Sequence, residues 1–203
     1  MAESTKSRTR ARKSPQQERS RDMVETILAA AARVFVKHGY AHATTNRIAD
    51  AAGVSVGSVY QYFPSKDAIA VELLRRYREG LLSLVQRALG EADEQTFPAA
   101  VHALVSSLLR AEGIDPALHR VLIEQVLRTR ARAELIGFEE RLEAIVEDAL
   151  RRGGLQTIRP HLTAFVVVRV VLAMVHAAVV DRPQMNEPAL AEEVTRLVLR
   201  YLA

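Results

Sequence analysis

The stretch AGVSVGSVYQYFPSK, Ala52 to Lys66, sets the reading of the chain. Three of the ten aromatic residues, Tyr60, Tyr62 and Phe63, fall here within four positions. Ser55 is an N-cap residue type, and Pro64 disfavours helical geometry at Phe63. The element between them is a helix of only about two turns. It opens on Val56, Gly57 and Ser58 rather than on good helix formers.

Working outward, a first helix is expected from Asp22 to His38. Val24, Ile27, Leu28, Ala31, Val34 and Phe35 recur at helical spacing, and Gly39 suits a left-handed cap. A threonine, Thr44 or Thr45, can cap a second short helix whose inner face is Ile48, Ala51 and Ala52, ended by Gly53. Ser65 caps a long fourth helix running to Leu89. Residues 22–64 thus hold three helices, and a tight joint, Ala52 to Ser55, separates the last two. A Gly-containing turn between two short helices is the helix-turn-helix pattern.

On a helical wheel Val59 and Phe63 face inward and Tyr62 lies at their edge. Val56, Gly57, Tyr60 and Gln61 share the opposite side. That face suits a DNA groove, because a recognition helix presents its N-terminal residues to base edges. Gly57 permits close backbone approach. Val56 can meet a thymine methyl, and Ser58 and Gln61 can hydrogen-bond to bases. The hydroxyls of Tyr60 and Tyr62 can reach phosphates, which positions the helix without reading sequence.

Gly39-Tyr40, Thr44-Thr45, Ile48-Ala49, Ala52-Gly53-Val54-Ser55, Gly57, Tyr60, Tyr62-Phe63 and Lys66 together resemble the signature of the tetracycline-repressor (TetR) family. The likeness covers roughly residues 24–70. It implies an all-α homodimeric transcriptional regulator, usually a repressor, that binds a palindromic DNA operator. A larger C-terminal helical domain would bind a small molecule and dimerise through its last two helices. By position, the resemblance makes Thr45, Asn46, Val56, Gly57 and Ser58 residues near DNA. Asn46 could read an adenine; at Asn46 and Arg47 family members vary. Tyr60, Tyr62 and Lys66 become phosphate-contact candidates, Lys66 at a helix N-terminus. Thr44, Ser55 and Gln61 complete the expected interface.

Beyond Gly90 five more helices are expected, about Pro98–Ala111, Pro116–Thr129, Ala131–Arg152, Pro160–Asp181 and Glu187–Leu202, giving nine in all. The expected organisation is a basic, disordered arm over 1–21, a DNA-binding domain over 22–66, and an effector-binding and dimerisation domain over 67–203. Leu162–Val180 has the length of a membrane span. Arg169 and His176 lie inside it, and a central Arg opposes insertion by about 2.5–3.5 kcal/mol, so a soluble helix covered by a second subunit is the better reading. Val171, Val175, His176, Val179, Val194, Leu197, Val198 and Tyr201 are the expected dimer residues. The polar and larger residues His102, His119, Glu124, Gln125, Phe138, Phe165, Arg169 and Met174 are the expected effector-pocket residues. Arg169 and His176, seven apart, could face either the pocket or the dimer seam. The apolar helices favour a hydrophobic effector.

Charge and composition agree with a nucleic-acid partner. Seven basic against two acidic residues give residues 1–21 a charge of +5, while the whole chain carries only +4. Such an arm either touches nucleic acid or stays solvated. The 203 residues contain no cysteine, which excludes disulfides and thiol chemistry and fits a reducing, cytoplasmic setting. No apolar segment follows the basic start, so no secretory signal is expected. HExxH, P-loop and GxGxxG motifs are missing. His38 and His42 are interrupted by Gly39. No cofactor, metal or catalytic activity is therefore expected; an activator of the same fold is the alternative to a repressor, and a helical enzyme or membrane protein is the weaker one.

Overall fold

The computed structural model describes residues 15–110, 116–126, 132–155, 158–185 and 188–203; the side chains of 15–18, 116, 123–126 and 132–136 lie outside the description. Among the described residues there are nine α-helices and no strand. They are α1 Pro15–His42, α2 Thr45–Ala52, α3 Val56–Tyr62, α4 Lys66–Gly90, α5 Phe97–Leu109, α6 Pro116–Val126, α7 Arg132–Arg152, α8 Pro160–His176 and α9 Pro188–Leu202.

Two of these elements depart from expectation. The first helix begins at Pro15 rather than Asp22, so residues 15–21 are not an irregular arm. Proline is favoured at a first helical position, and Gln16, Gln17, Glu18, Arg19 and Arg21 are good helix formers. Gly39 does interrupt α1, but at φ 70° and ψ 161°, an extended positive-φ region that is essentially glycine's alone. One further helical turn, Tyr40–His42, follows it. The last long apolar segment stays α-helical only to His176 and continues as a π-helical turn, Ala177–Asp181. The wider turn shifts the register, so Ala178, Val179 and Val180 are all buried in succession. Pro160–Asp181 has the length and mean hydropathy, 2.3, of a membrane span, yet α8 packs along α7 and also touches α5 and α9.

There are two cores. The N-terminal one gathers Ile27, Leu28, Ala31, Val34 and Phe35 of α1 with Ile48, Ala49, Val59 and Phe63 of the two short helices. It extends past residue 66, taking in Ile69, Ala70 and Leu74 of α4 and Leu122 of α6. The C-terminal core includes Leu81, Leu82, Val85 and Leu89 of the same α4, packed with α5, α7, α8 and α9. An uninterrupted α4 is thus shared by both cores, and α6 leans back onto the first.

Ion pairs brace this arrangement. Arg76 on α4 donates to both carboxylate oxygens of Glu25 on α1 at 2.6 Å, and to Glu72 at 2.8 Å. Arg75 forks onto Glu72 at 2.7 Å. The Arg75 hydrogen bond, helped by Arg76, holds the Glu72 carboxyl down at about 2. On α6, His119 sits edge-on to Tyr77 at 5.1 Å and near His176 at 5.9 Å. Burial, with the His176 charge adding to it, pushes the His119 imidazole down to about 4.

Both depressed groups have unfolded values above their folded ones. The unfolded chain therefore binds more protons as pH falls, and stability falls with it. The loss should come in two windows, from about 6.5 to 4 through His119 and from about 4.5 to 2 through Glu72. Urea unfolding followed against pH should lose the lower window in Glu72→Gln and the upper one in His119→Phe.

Candidate nucleic-acid interface

The short helices are held in register by polar caps. The Thr44 hydroxyl accepts from Arg47 N at 3.2 Å, and the Ser55 hydroxyl accepts from Ser58 N at 3.0 Å. Gly53 ends α2 in the left-handed conformation at φ 69°, its N–H reaching back to Asp50 O. Arg33 of α1 donates to Ala51 O at 3.2 Å, and Arg47 donates to His42 O at 2.8 Å. These bonds satisfy orphan backbone groups at helix ends.

The faces divide as the wheel requires. Val59 is fully buried and Phe63 is 7% exposed, whereas Val56 and Tyr60 are 38% and 53% exposed. Thr44, Asn46, Arg47, Ser55, Gly57 and Gln61 are exposed as well, with Thr45 and Ser58 half-buried. The Tyr60 hydroxyl lies 3.1 Å from Thr45 Oγ1, so α3 is tied to the start of α2 on the outer surface. A Cβ added at Gly57 would meet only Ser55 Oγ, at 3.7 Å. The outward surface at the start of α3 is therefore open for a partner to approach. Ser58 Oγ is 2.8 Å from Ser55 Oγ. Tyr62 packs its half-buried ring on the N-terminal core.

Lys66 is engaged differently from the expectation. Its ammonium donates to Tyr40 O, Ala41 O and Ala43 O at 2.9, 3.4 and 3.1 Å and sits 4.5 Å over the Tyr40 ring. The ammonium thus braces the carbonyls at and just beyond the C-terminal end of α1. The Tyr40 hydroxyl in turn donates to Asp67, and burial, with that bond, raises its ionisation well above the ordinary tyrosine range. Sequence reasoning missed this brace because its acceptors lie 23 to 26 residues away.

An apolar cavity of about 60 Å³ lies between α4, α5, α7, α8 and α9, lined by Leu, Val and Phe97 side chains alone. None of the expected pocket residues lines it. His102 is exposed, its Nδ1 3.3 Å from Thr195 Oγ1. His119 is at the α6 junction. Arg169 pairs with Glu139 and Glu143 and lies 5.0 Å over Phe165. Phe138 faces Arg78 and Met174 packs on the core edge. The side chains of Glu124 and Gln125 lie outside the described residues. Polar groups on apolar helices thus found partners on neighbouring helices, and aliphatics built the hollow.

The expected dimer residues also divide. Val194, Val198 and Val179 are 2%, 3% and 8% exposed inside the subunit, because they occupy the inward stripes of α9 and of the π turn. Val198 and Val171 line the cavity, and Val175 packs on its core. His176 is half-buried, its Nε2 3.8 Å from Asp181. Leu197 and Tyr201 do face outward, at 53% and 49%, alongside Leu162 and Phe165 of α8 at 42% and 43%.

A capped helix-turn-helix with an open outer face defines a DNA-binding protein of the regulator class. Residues 27–73 match the bacterial regulatory proteins of the tetR family, and residues 96–202 match the tetracyclin repressor-like C-terminal domain. The chain belongs to the TetR family of transcriptional regulators and is not an enzyme. It is similar to the HTH-type transcriptional regulator YhgD of Bacillus subtilis, 25% identical over 90% of this chain and 97% of that one. It is 31% identical to the HTH-type transcriptional activator FasR of Mycolicibacterium smegmatis over 71% of this chain and 66% of that one. Its fold matches NalD, secondary repressor of the MexAB-OprM multidrug efflux pump in Pseudomonas aeruginosa, with a TM-score of 0.66 at 23% identity over 91% and 97% of the two chains.

Two glycine substitutions separate folding from recognition. Gly53→Ala places a side chain at φ 69° and should cost about 1–2 kcal/mol in urea unfolding. Gly57→Ala should leave stability unchanged or up to about 1 kcal/mol higher while weakening DNA binding measured by anisotropy. Lys66→Met should lower stability by about 2 kcal/mol. Its salt dependence of DNA binding should stay unchanged, whereas a lost phosphate contact would cut the slope by about 0.9.

Proposed function

We propose that the protein is a homodimeric repressor that holds a palindromic operator and releases it when an apolar effector enters the α4–α9 cavity. The observation that carries this is the continuity of α4. Ile69, Ala70 and Leu74 belong to the DNA-binding core, and Leu81, Val85 and Leu89, further along the same helix, wall the cavity. Anything that spreads the cavity tilts the helix that seats the reading head. The outward apolar residues Leu162, Phe165, Leu197 and Tyr201 support pairing of two copies through α8 and α9. Val56, Gly57, Ser58, Gln61 and Asn46 would face bases, with Thr44, Thr45, Arg47 and Tyr60 at the backbone. The residues ahead of Pro15 would add basic contacts. Such a regulator works in the cytoplasm.

The two recognition helices of a dimer must sit about 34–36 Å apart to meet successive major grooves. An effector that favours the mis-spaced form a hundredfold supplies about 2.7 kcal/mol of coupling, and operator must weaken effector binding by the same factor. The similarity to FasR, an activator, makes transcription from a reconstituted promoter the check on sign: repression rises with protein, activation would reverse it.

Selection from a random duplex pool should return a palindrome. Tyr60→Phe should weaken its binding with the base preference kept, and Gln61→Ala should relax the preference. Leu197→Glu should sediment as a monomer and lose the palindrome's cooperative binding. A monomeric wild type with one half-site would sink the homodimer.

A further inference from the structure

We infer that the joint between α6 and the π turn is an acid-operated latch: when His119 gains a proton beside His176, α6 comes free of the DNA-binding core and the operator is let go. This rests on the operator-binding reading proposed above and adds the proton as a further ligand of the same regulator.

The placement of His119 carries it. α6 packs on α1, α4 and the π turn Ala177–Asp181. His119 lies edge-on to Tyr77 of α4 at 5.1 Å and 5.9 Å from the ring of His176, the last residue of α8. Its Nδ1 is shut off from solvent and has no hydrogen-bond partner among the described residues. A neutral imidazole tolerates that, because one of its ring nitrogens is a bare acceptor. An imidazolium carries N–H on both nitrogens, so protonation leaves a buried, charged donor with nothing to receive it. The surrounding groups offer no relief. Burial pushes the Tyr77 hydroxyl up to about 12, so it brings no countercharge. Among the described residues no charge on α1 or α4 acts on His119; the one that does is that of His176. Asp181 lies 3.8 Å from His176 Nε2, so a charge on His176 has a partner where one on His119 has none.

His119 sits between the two attachments of α6. Leu122, three residues on, is 2% exposed in the DNA-binding core, and Arg120 donates to Val180 O of the π turn. Two like charges at the joint repel, which drives α6 and the end of α8 apart. Linkage sets the size. With α6 free the imidazole returns to about 6.5, whereas the closed joint holds it at about 4. The closed form binds the proton less well, so acid favours the free form, by up to tenfold for each pH unit below about 6.5 and about thirtyfold by pH 5.

The test follows binding of the selected palindrome to the full chain by anisotropy, from about pH 7.5 to 5 at fixed ionic strength. Circular dichroism and sedimentation confirm the folded state at each point. Wild type should bind roughly tenfold more weakly at pH 5 than at pH 7. His119→Phe keeps a ring against Tyr77 but takes no proton, and should change less than threefold. His176→Gln, which removes the neighbouring charge and leaves the burial, should fall between the two. All other histidines are common to the three proteins, so the differences isolate this pair. Hydrogen exchange, corrected for its intrinsic pH dependence, should rise over residues 116–126 in wild type and not in His119→Phe, with the α2 and α3 amides still protected. Unchanged wild-type affinity overturns the latch, and so do equal losses in wild type and His119→Phe. Affinity lost only where circular dichroism is lost overturns it as well, since that is acid unfolding of the whole chain. If His119→Phe does not fold, His176→Gln and the α6 exchange decide. If wild type holds no palindrome at pH 7, the operator reading falls, and α6 exchange in the free protein decides the latch alone.

Discussion

The structure depends on α4 remaining one helix while belonging to two cores. Leu74 is buried with α1, α2 and α3, and Leu81, one face repeat later, is buried with α5, α7 and α9. Between them stand Tyr77 and Arg78, a polar step in an otherwise aliphatic stripe. A break there would decouple the two bodies. The backbone is instead continuous, and Arg75, Arg76, Glu72 and Glu25 lace its outer side to α1. Exposed pairs of this kind each contribute little, but a network that crosses from one helix to another fixes an angle as well as an energy.

The second attachment is α6. Leu122 is 2% exposed, and it is buried in the DNA-binding core even though α6 follows α5 in the chain. Arg120 on the same helix donates to Val180 O in the π turn. The π turn thus meets α6, and α6 meets the N-terminal core, alongside α4. Wide turns recur where a helix face has been re-aimed for function, and here three successive residues of the turn are buried, Ala178 of them in the C-terminal core.

The helix-turn-helix was legible because its information is local. Thr44, Gly53, Ser55, Pro64 and Ser65 punctuate the chain at the residues where the helices start and stop, and Val59 with Phe63 follows a single spacing rule. The C-terminal site was not legible, for a physical reason. A wall of Leu and Val around a hollow has the same pattern as a wall of Leu and Val around packed side chains. The residues that looked like handles, Arg169 and His102, were polar because they face neighbouring polar groups or solvent. On α9, Val194 and Val198 differ from Leu197 and Tyr201 only in which stripe they occupy, and with two apolar stripes the inward one cannot be chosen before the neighbouring helices are placed. The brace made by Lys66 was hidden for a related cause: its acceptors, at the C-terminal end of α1, lie 23 to 26 residues away and meet its ammonium only in the fold.

Lys66 and the Thr45–Tyr60 contact have a joint consequence. One staples the start of α4 to the end of α1, and the other staples α3 to α2. With Arg33 on Ala51 and the two hydroxyl caps, the end of α1, both ends of α2 and the start of α3 are each held by a side chain. The reading head therefore resists loosening at the start of α3. It behaves as a solid jaw on a lever, able to swing or shift as a piece but not to change its own bite.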